Sequence, residues 1–430
     1  MPARIEMDAR RTKKTLRDGL VVLAVTLGLL LVSELSLRIV FSNKTADPES
    51  PSNPAIAYQF NEDYLISLKP NLRKSFVRTP SNGGAKIRWE TNSLSFRGAE
   101  LREHPDIRVM VYGDSNIQAD FSTLEHTFCY RLAKYLNEQL AGRHVEVVNS
   151  GVAGFGPDQS LLKLSKDVDI YRPDLIVLHV FADNDFGDIV RNRLFDLDKD
   201  GSLIRTRFKV ERDKGLVDAE QYVASLKYRL PSLFLTEAAR TLGGLVTRSE
   251  SGPKGSPSEE IKQYVLRADE EYAVYREGQP QKFSHFYDHY DIDLAIHPKA
   301  ESSRTKVKLM EAVLREIKHV TQSRQIALLV LIEPSVIDLT ENARVTYKDL
   351  QSYEDYRRDA LTRSIEAICI GLGMARVNLF EVYMSSRPEL LYFRDPDDHW
   401  NDAGQDLAAR VTAAYVARNL FKGPSKPLEK

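Results

Sequence analysis

Five short apolar runs alternate with segments of helical periodicity, and this alternation constrains the fold more than any other feature of the chain. The runs are almost continuously apolar, which is typical of parallel strands that are buried on both faces. The pattern predicts an α/β fold, a three-layer α/β/α sandwich around a mostly parallel five-stranded sheet. The predicted strands are Ile107 to Tyr112, Val145 to Asn149, Leu175 to Val180, Ile326 to Ile332 and Ala375 to Leu379.

Three segments near these strands predict amphipathic helices. The first follows Ser122, which we expect to form a capping box with Glu125. The last is led by Asn401 and Asp402. The apolar positions are Leu124, Phe128, Leu132, Leu136 and Leu140 in the first helix, Val307, Met310, Leu314 and Ile317 in the second, and Leu407, Val411 and Tyr415 in the third.

The amino terminus has the pattern of a membrane anchor. Residues 1–18 are rich in Arg and Lys, and residues 19–41 are long and apolar enough to span a bilayer if Glu34 and Arg38 lie at its outer interface. The basic flank predicts a cytoplasmic amino terminus, a single pass through the inner membrane and an extracytoplasmic or periplasmic remainder. A cleaved signal peptide is the other interpretation, but no small-x-small site follows the run.

The rest of the chain divides by composition. Residues 42–57 contain several prolines and predict a stem linker, and residues 58–104 predict small β elements packed on the following domain. The sheet domain is predicted from residues 105–185 and 301–422. Residues 186–300 break the alternation and are interpreted as an insertion, a lid or substrate platform, and not as a second catalytic domain.

Charge, cysteine content and one histidine-containing segment bear on the partners and ligands that the chain could have. Lys plus Arg number 60 and Asp plus Glu 61, so the balance does not favour nucleic acid as a partner. Cys129 and Cys369 have apolar neighbours, which favours core packing over a disulfide, although an extracytoplasmic domain would permit one. His285, Asp288 and His289 have metal-ligand spacing if that segment is helical, but their aromatic neighbours suit surface packing or sugar stacking equally. No metal site is predicted.

Polar turns follow three of the predicted strands, and a fourth precedes the last helix. Carboxyl ends of parallel strands meet at one edge of a sheet, where loops present side chains to ligands. A serine at that edge is placed to attack a substrate. The turns are Gly113-Asp114-Ser115, Asn149 to Gly156, Phe181 to Asp185 and Asp395 to Asn401.

These four turns, in this order, resemble the four blocks of the SGNH (GDSL-type) hydrolases, which have a flavodoxin-like sheet. The resemblance covers roughly residues 105–185 and 325–420, with a lead-in at Thr91 to Gly98 of the kind seen in membrane-anchored bacterial members. The last block reads Asp-Asp-His-Trp-Asn, which is similar to the Asp-x-His-Trp variant of acetyl-transferring and acetyl-removing relatives of alginate biosynthesis proteins.

The resemblance implies a role for each matching residue. Asp395 and Asp398 remain open as alternatives to the carboxylate named here, and Gly151 is close enough in register to compete with the glycine. The implied set is Ser115 as nucleophile, His399 as base, Asp397 as its orienting carboxylate, Ser115, Gly154 and Asn184 as oxyanion donors, and Asp114 and Asp185 in support.

Two positions depart from the family pattern. Ala182-Asp183 stands where many members have Gly-Gly, which puts a carboxylate beside the oxyanion donors, and Asn116 replaces the usual leucine after the serine. Neither change removes a catalytic group.

A serine with a histidine base, a carboxylate and preorganised N–H donors is sufficient for acyl transfer without a cofactor. The sequence therefore predicts a serine esterase or O-acyltransferase that acts on O-acyl groups of an envelope or secreted carbohydrate. We expect these groups to be O-acetyl. The alternatives are an inactive glycan-binding module of this fold and a lipid or short-chain carboxylesterase. A nucleotide-binding domain is disfavoured, because the turn after the first strand has one glycine and an Asp that repels phosphate.

Overall fold

The computed structural model describes residues 57–79, 82–140, 142–206, 259–277, 289–341, 350–393 and 398–421. The predicted membrane segment at 19–41 and the predicted orienting residue Asp397 lie outside these ranges. Within them, no helix has both the length and the apolar character that crossing a bilayer requires.

Five parallel strands form the central sheet, as predicted. Counted one to five along the chain, these strands lie in the order 5-4-3-1-2 across the sheet, so the second of the five lies at one edge and the fifth at the other. Each boundary is within one residue of its prediction. The strands are β5 (Ile107–Tyr112), β6 (Val145–Asn149), β7 (Leu175–Phe181), β10 (Ala327–Glu333) and β11 (Ala375–Asn378).

Helices cover both faces of the sheet and complete the three layers. Alternate residues of β5 show this, because Met110 and Tyr112 enter one apolar core, whereas Val109 and Val111 enter the other. Burying a valine of this kind stabilises the fold by about 1.5–3 kcal/mol. The helices on the first face are α3 (Pro157–Tyr171), α4 (Asp185–Asn192), α7 (Glu301–Gln322) and α9 (Ala360–Gly371); those on the second are α2 (Phe128–Gln139) and α11 (Asp402–Asn419).

Shorter elements connect or flank these layers. Two antiparallel hairpins lie in the lead-in, and a third follows α4. The hairpins are β1 (Tyr58–Asn61) with β2 (Leu65–Leu68), β3 (Arg73–Val77) with β4 (Lys86–Glu90), and β8 (Phe195–Leu197) with β9 (Leu203–Arg205); the short helices are α1 (Ser115–Gln118), α6 (Ile292–Ile296), α8 (Val336–Leu339) and α10 (Phe380–Met384), and the longer α5 is Glu259–Arg276.

The predicted capping box at Ser122 is wrong. A short 3-10 turn, Leu124–His126, precedes α2, and Thr127 caps the helix by accepting from the Tyr130 N–H at 3.3 Å. The Ser122 hydroxyl instead donates to Asp402 Oδ1 at 2.7 Å, so a contact with α11 replaces the local cap.

The buried face of α11 also differs from its prediction. The fully buried residues are small ones such as Ala408, Ala409 and Ala413, which let α11 approach α2 closely. The predicted Leu407 and Tyr415 pack at the margin of the same core. The cysteine prediction is confirmed, because Cys129 and Cys369 are buried and unpaired. Burial raises the pKa of both thiols.

Candidate active site

Ser115 begins a one-turn helix directly after the central strand β5. The Asp114 carboxylate caps this turn by accepting the N–H of Asn116 at 2.9 Å. Asp114 and Asn116 are buried, whereas Ser115 itself retains partial exposure. The turn therefore presents the serine at the carboxyl edge of the sheet on a backbone that its neighbours hold in place.

The loop after β6 lies against this turn. Its Val152 N–H donates to Gly113 O at 3.0 Å, and the Ala153 N–H donates to Gln118 Oε1 at 2.7 Å. The N–H of Gly151 is engaged by Asn149 Oδ1 at 3.0 Å, whereas no acceptor within the described ranges takes the N–H of Gly154. Of the two competing glycines, Gly154 is therefore the one with an N–H available to a ligand.

Gly151 has a packing role instead. A Cβ at this position would lie 2.6 Å from the Gln118 backbone nitrogen and 2.7 Å from Ile117, so only glycine lets the loop approach α1. Gly154 has a φ of +75°, which favours glycine for a conformational reason.

Asn184 occupies the N-cap position of α4 at the end of β7, one strand from Ser115. It is 4% exposed, and its carbonyl accepts from the Arg191 guanidinium at 3.2 Å. Arg191 also binds Asp188 and Glu271, and Glu271 contacts His289. A buried ionic network that reaches α5 therefore fixes the backbone of this asparagine.

Asp183 and Asp185 flank Asn184, and both are buried. The Asp183 carboxylate accepts from the Ser335 hydroxyl, which follows β10, and does not point to solvent. Asp185 accepts from the Phe181 N–H at 2.6 Å. Burial, followed by the nearby Asp114 carboxylate, raises the pKa of Asp185 well above its ordinary value.

His399 lies next to the serine turn through its neighbour Trp400. The Trp400 N–H donates to Asn116 Oδ1 at 3.0 Å, which joins the residue after His399 to the residue after Ser115. The Phe121 ring packs edge-on against the imidazole, with 5.9 Å between centroids. Between the described residues Ser115 and His399 no direct hydrogen bond is formed.

Asp398 is the carboxylate that contacts the histidine among the described residues. Its Oδ1 lies 3.0 Å from His399 Nδ1. Although burial alone would raise the pKa of Asp398, the histidine lowers it below its ordinary value. One of the two alternatives left open by the sequence thus has the contact expected of an orienting group.

Two buried ionisable residues beneath the serine turn were not singled out from the sequence. His179 Nε2 is 2.7 Å from Glu333 Oε2, and both side chains are fully inaccessible. His179 Nδ1 is 3.4 Å from Asp114 Oδ1. The available signal was a single histidine within the otherwise apolar strand β7 and an acid that ends β10.

Arg97, noted only as part of a lead-in turn, supports the same site. It is 4% exposed, and its guanidinium donates to the carbonyl groups of Gln118, Ala119 and Ser122 at the end of α1. Burial lowers its pKa to about 10. Carbonyl groups that the one-turn helix leaves unpaired are therefore satisfied by the lead-in segment.

The chain has similar solved structures but no match at the level of sequence families. No protein-family profile matches the chain, and no curated protein sequence matches it. Among solved structures, an acetylxylan esterase from Geobacillus stearothermophilus is similar at 11% identity and a TM-score of 0.37, over 74% of this chain and 96% of that one. A lipase/acylhydrolase from Enterococcus faecalis is similar at 11% identity and a TM-score of 0.35, over 74% and 100%.

Proposed function

We propose that the chain is a serine esterase or O-acyltransferase of the SGNH type, with Ser115 as nucleophile and His399 as general base. One observation supports it above all: the hydrogen bond from the Trp400 N–H to Asn116 Oδ1, which holds the two turns together. Catalytic hydrogen bonds are often absent or long before substrate binds, so the missing contact between serine and histidine is compatible with this function.

The reaction follows from these groups. Ser115 Oγ attacks the acyl carbonyl carbon while His399 accepts its proton, and the carbonyl oxygen becomes an oxyanion. The N–H groups of Ser115 and Gly154 and the amide of Asn184 are the proposed donors to it, and removal of one such donor typically costs about 3 kcal/mol. The protonated histidine then gives its proton to the departing alcohol oxygen. Water, or a sugar hydroxyl, attacks the acyl-enzyme in the reverse sequence.

The proposed substrate is an O-acetylated carbohydrate, and no cofactor takes part in the proposed reaction. Acetate release from 4-nitrophenyl acetate by the purified full-length chain tests the serine mechanism. We expect Ser115→Ala and His399→Ala each to lose about 1,000-fold or more in kcat/KM. Ser385→Ala and His126→Ala are the matched controls, and they should retain wild-type rates.

Acyl transfer is tested by adding an oligosaccharide such as xylopentaose and measuring the acetylated sugar by mass spectrometry. Product formation that requires Ser115 indicates transfer, and acetate alone indicates hydrolysis. Equal rates in wild type and both catalytic variants would contradict the serine mechanism. Glycan binding by all three proteins, without any turnover, would favour the non-catalytic module.

We further propose that Asp398 or Asp397 orients His399. The contact from Asp398 Oδ1 to His399 Nδ1 favours Asp398, whereas the Asp-x-His-Trp pattern favours Asp397. Replacing the orienting carboxylate by an amide leaves the imidazole in the wrong tautomer and lowers kcat by about 100-fold or more. A comparison of Asp397→Asn with Asp398→Asn therefore identifies the residue if one of them shows this loss, and a loss in neither would point to Asp395, the third candidate.

We also propose that residues 19–41 anchor the chain in the inner membrane with the site outside the cytoplasm. Salt-washed membranes should retain the full-length chain, and protease added to spheroplasts should degrade the part that follows residue 41. Recovery in the soluble fraction, or protection from protease, would contradict this arrangement.

A further inference from the structure

One buried side chain, His179, contacts both of the turns that make up the proposed site. A Cβ on Gly113 would lie 2.8 Å from His179 Cβ and 3.0 Å from its Nδ1, so the ring packs directly beneath the serine turn. The same ring meets the Trp400 indole edge-on, with 5.3 Å between centroids. The distance between the two turns therefore depends on this imidazole.

The orientation of the ring is set by Glu333 on one side and Asp114 on the other. Glu333 ends β10, which pairs with β7, and its Oε2 lies 2.7 Å from His179 Nε2. On the opposite side of the ring, Nδ1 is 3.4 Å from Asp114 Oδ1. Asp114 Oδ1 is also the atom that accepts the Asn116 N–H. A continuous line of contacts thus runs from β10 to the turn that presents Ser115.

We propose that Glu333 and His179 are positioning residues. A protonated Glu333 donates to His179 Nε2 and thereby fixes the tautomer whose Nδ1–H faces Asp114. The effect on rate rests on the proposed function, whereas the tautomer itself does not.

The chemistry of the site favours this assignment of protons. A neutral imidazole has one donor and one acceptor nitrogen. If Nε2 carried the hydrogen, the lone pair of Nδ1 would face the Asp114 oxygen, and two acceptors would be opposed in a site without solvent. With a proton on Glu333, the 2.7 Å contact pairs a donor with an acceptor, and the Nδ1–H faces the Asp114 oxygen at 3.4 Å, an electrostatic contact that is longer than a hydrogen bond. Burial acts in the same direction, because it lowers the pKa of His179 to about 3 and raises that of Glu333.

The test compares two substitutions of one residue. In Glu333→Gln the amide NH₂ can donate to Nε2 as the protonated acid does, whereas in Glu333→Leu this donor is lost. We expect kcat of Glu333→Gln to stay within about threefold of wild type and kcat of Glu333→Leu to fall by about 10- to 100-fold, with KM little changed. The control is Asp338→Asn, at another buried acid. The asparagine keeps an oxygen that can accept the hydrogen bonds from the two tyrosine hydroxyls, so this variant should retain wild-type kcat.

Imidazole ¹⁵N NMR of the full-length chain, labelled at histidine, is read in parallel and does not depend on catalysis. We expect a neutral ring with hydrogen on Nδ1 in wild type and Glu333→Gln, and hydrogen on Nε2 or an exchanging mixture in Glu333→Leu. If Glu333→Leu does not fold, the NMR spectra of wild type and Glu333→Gln still decide the tautomer. Hydrogen on Nε2 or a cationic ring in wild type would overturn the proposal, as would equal kcat in folded Glu333→Gln and Glu333→Leu. Absence of Ser115-dependent turnover in wild type would contradict the proposed function alone.

Discussion

Replacing Glu333 with glutamine should change how the free energy of unfolding depends on pH, and the size of this change follows from the burial of two residues. Glu333 is buried, and its pKa is raised first by burial and then by the Asp114 carboxylate. The folded chain therefore keeps a proton that the unfolded chain releases above its ordinary pKa of 4.5. This contribution to stability is full below 4.5 and is lost as the pH rises, at about 1.4 kcal/mol per pH unit.

His179 has the opposite dependence. Burial lowers its pKa from 6.5 to about 3, so the unfolded chain binds the proton more readily. This contribution is full above pH 6.5 and is lost as the pH falls towards 3, by about 5 kcal/mol in total. Between 4.5 and 6.5 the two slopes cancel, because folded and unfolded states each hold one proton on the pair. The pair should therefore leave the free energy of unfolding of the wild type independent of pH across this window and should lower it on either side.

Glu333→Gln leaves only the histidine contribution. The free energy of unfolding of the variant, minus that of the wild type, should then increase by about 1.4 kcal/mol per pH unit above 4.5. Urea unfolding of both full-length proteins at several values between about pH 5 and about pH 8 measures it. Asp114, Asp183, Asp398 and His399, whose charges act on Glu333, are present in both proteins, so the comparison isolates the ionisation of Glu333. Parallel curves would refute the reasoning, since they would mean that Glu333 is ionised in the folded protein at neutral pH.

Three further substitutions test contacts at the site. Asn116→Leu removes the acceptor of the Trp400 N–H and should lower the free energy of unfolding by about 1–3 kcal/mol and kcat by up to about 100-fold. A loss of stability without a change in kcat would show that this hydrogen bond is not needed for catalysis. Gly113→Ala should cost about 1–3 kcal/mol in thermal unfolding, because its Cβ overlaps His179, and an unchanged melting temperature would contradict this packing. Arg191→Met removes the cation that contacts both buried carboxylates, Asp188 and Glu271, and should cost about 3–5 kcal/mol in urea unfolding. A loss below about 1 kcal/mol would show that the carboxylates are neutral.

The sheet could be predicted from the sequence because its signal is local. A run such as Leu175 to Phe181 is apolar at every position but one and is too short for a buried helix, so strand is the better interpretation. Helix ends were less predictable, since Ser122 has the local sequence of a cap but is used by a contact with Asp402, far along the chain. Tertiary contacts of this kind are not visible in a local pattern.

The serine and histidine turns were predicted from their motifs, whereas the two candidate glycines differ in hydrogen bonds that the motifs do not show. Gly151 and Gly154 are equivalent in sequence, but the Asn149 side chain engages the N–H of Gly151. The motif favoured Asp397, which lies outside the described residues, and among the residues that the structure describes the carboxylate in contact with His399 is Asp398. A motif specifies which residue types are needed, and backbone geometry decides which member of a cluster supplies them.

The buried pair beneath the serine turn follows from strand order together with the period of two along each strand. Val111, Val177 and Leu331 face the same core, on three adjacent strands. The next residues on that face are Gly113, His179 and Glu333, two positions on. Leu331 pairs with His179 in the parallel register, so Glu333 lies diagonally beyond the histidine, and Gly113 lies one residue past the paired Tyr112 and Leu178. An apolar row thus ends in this ionisable pair directly under the serine turn. Burying His179 and Glu333 there costs free energy, and we expect this cost to be offset by the function of the turn that they position.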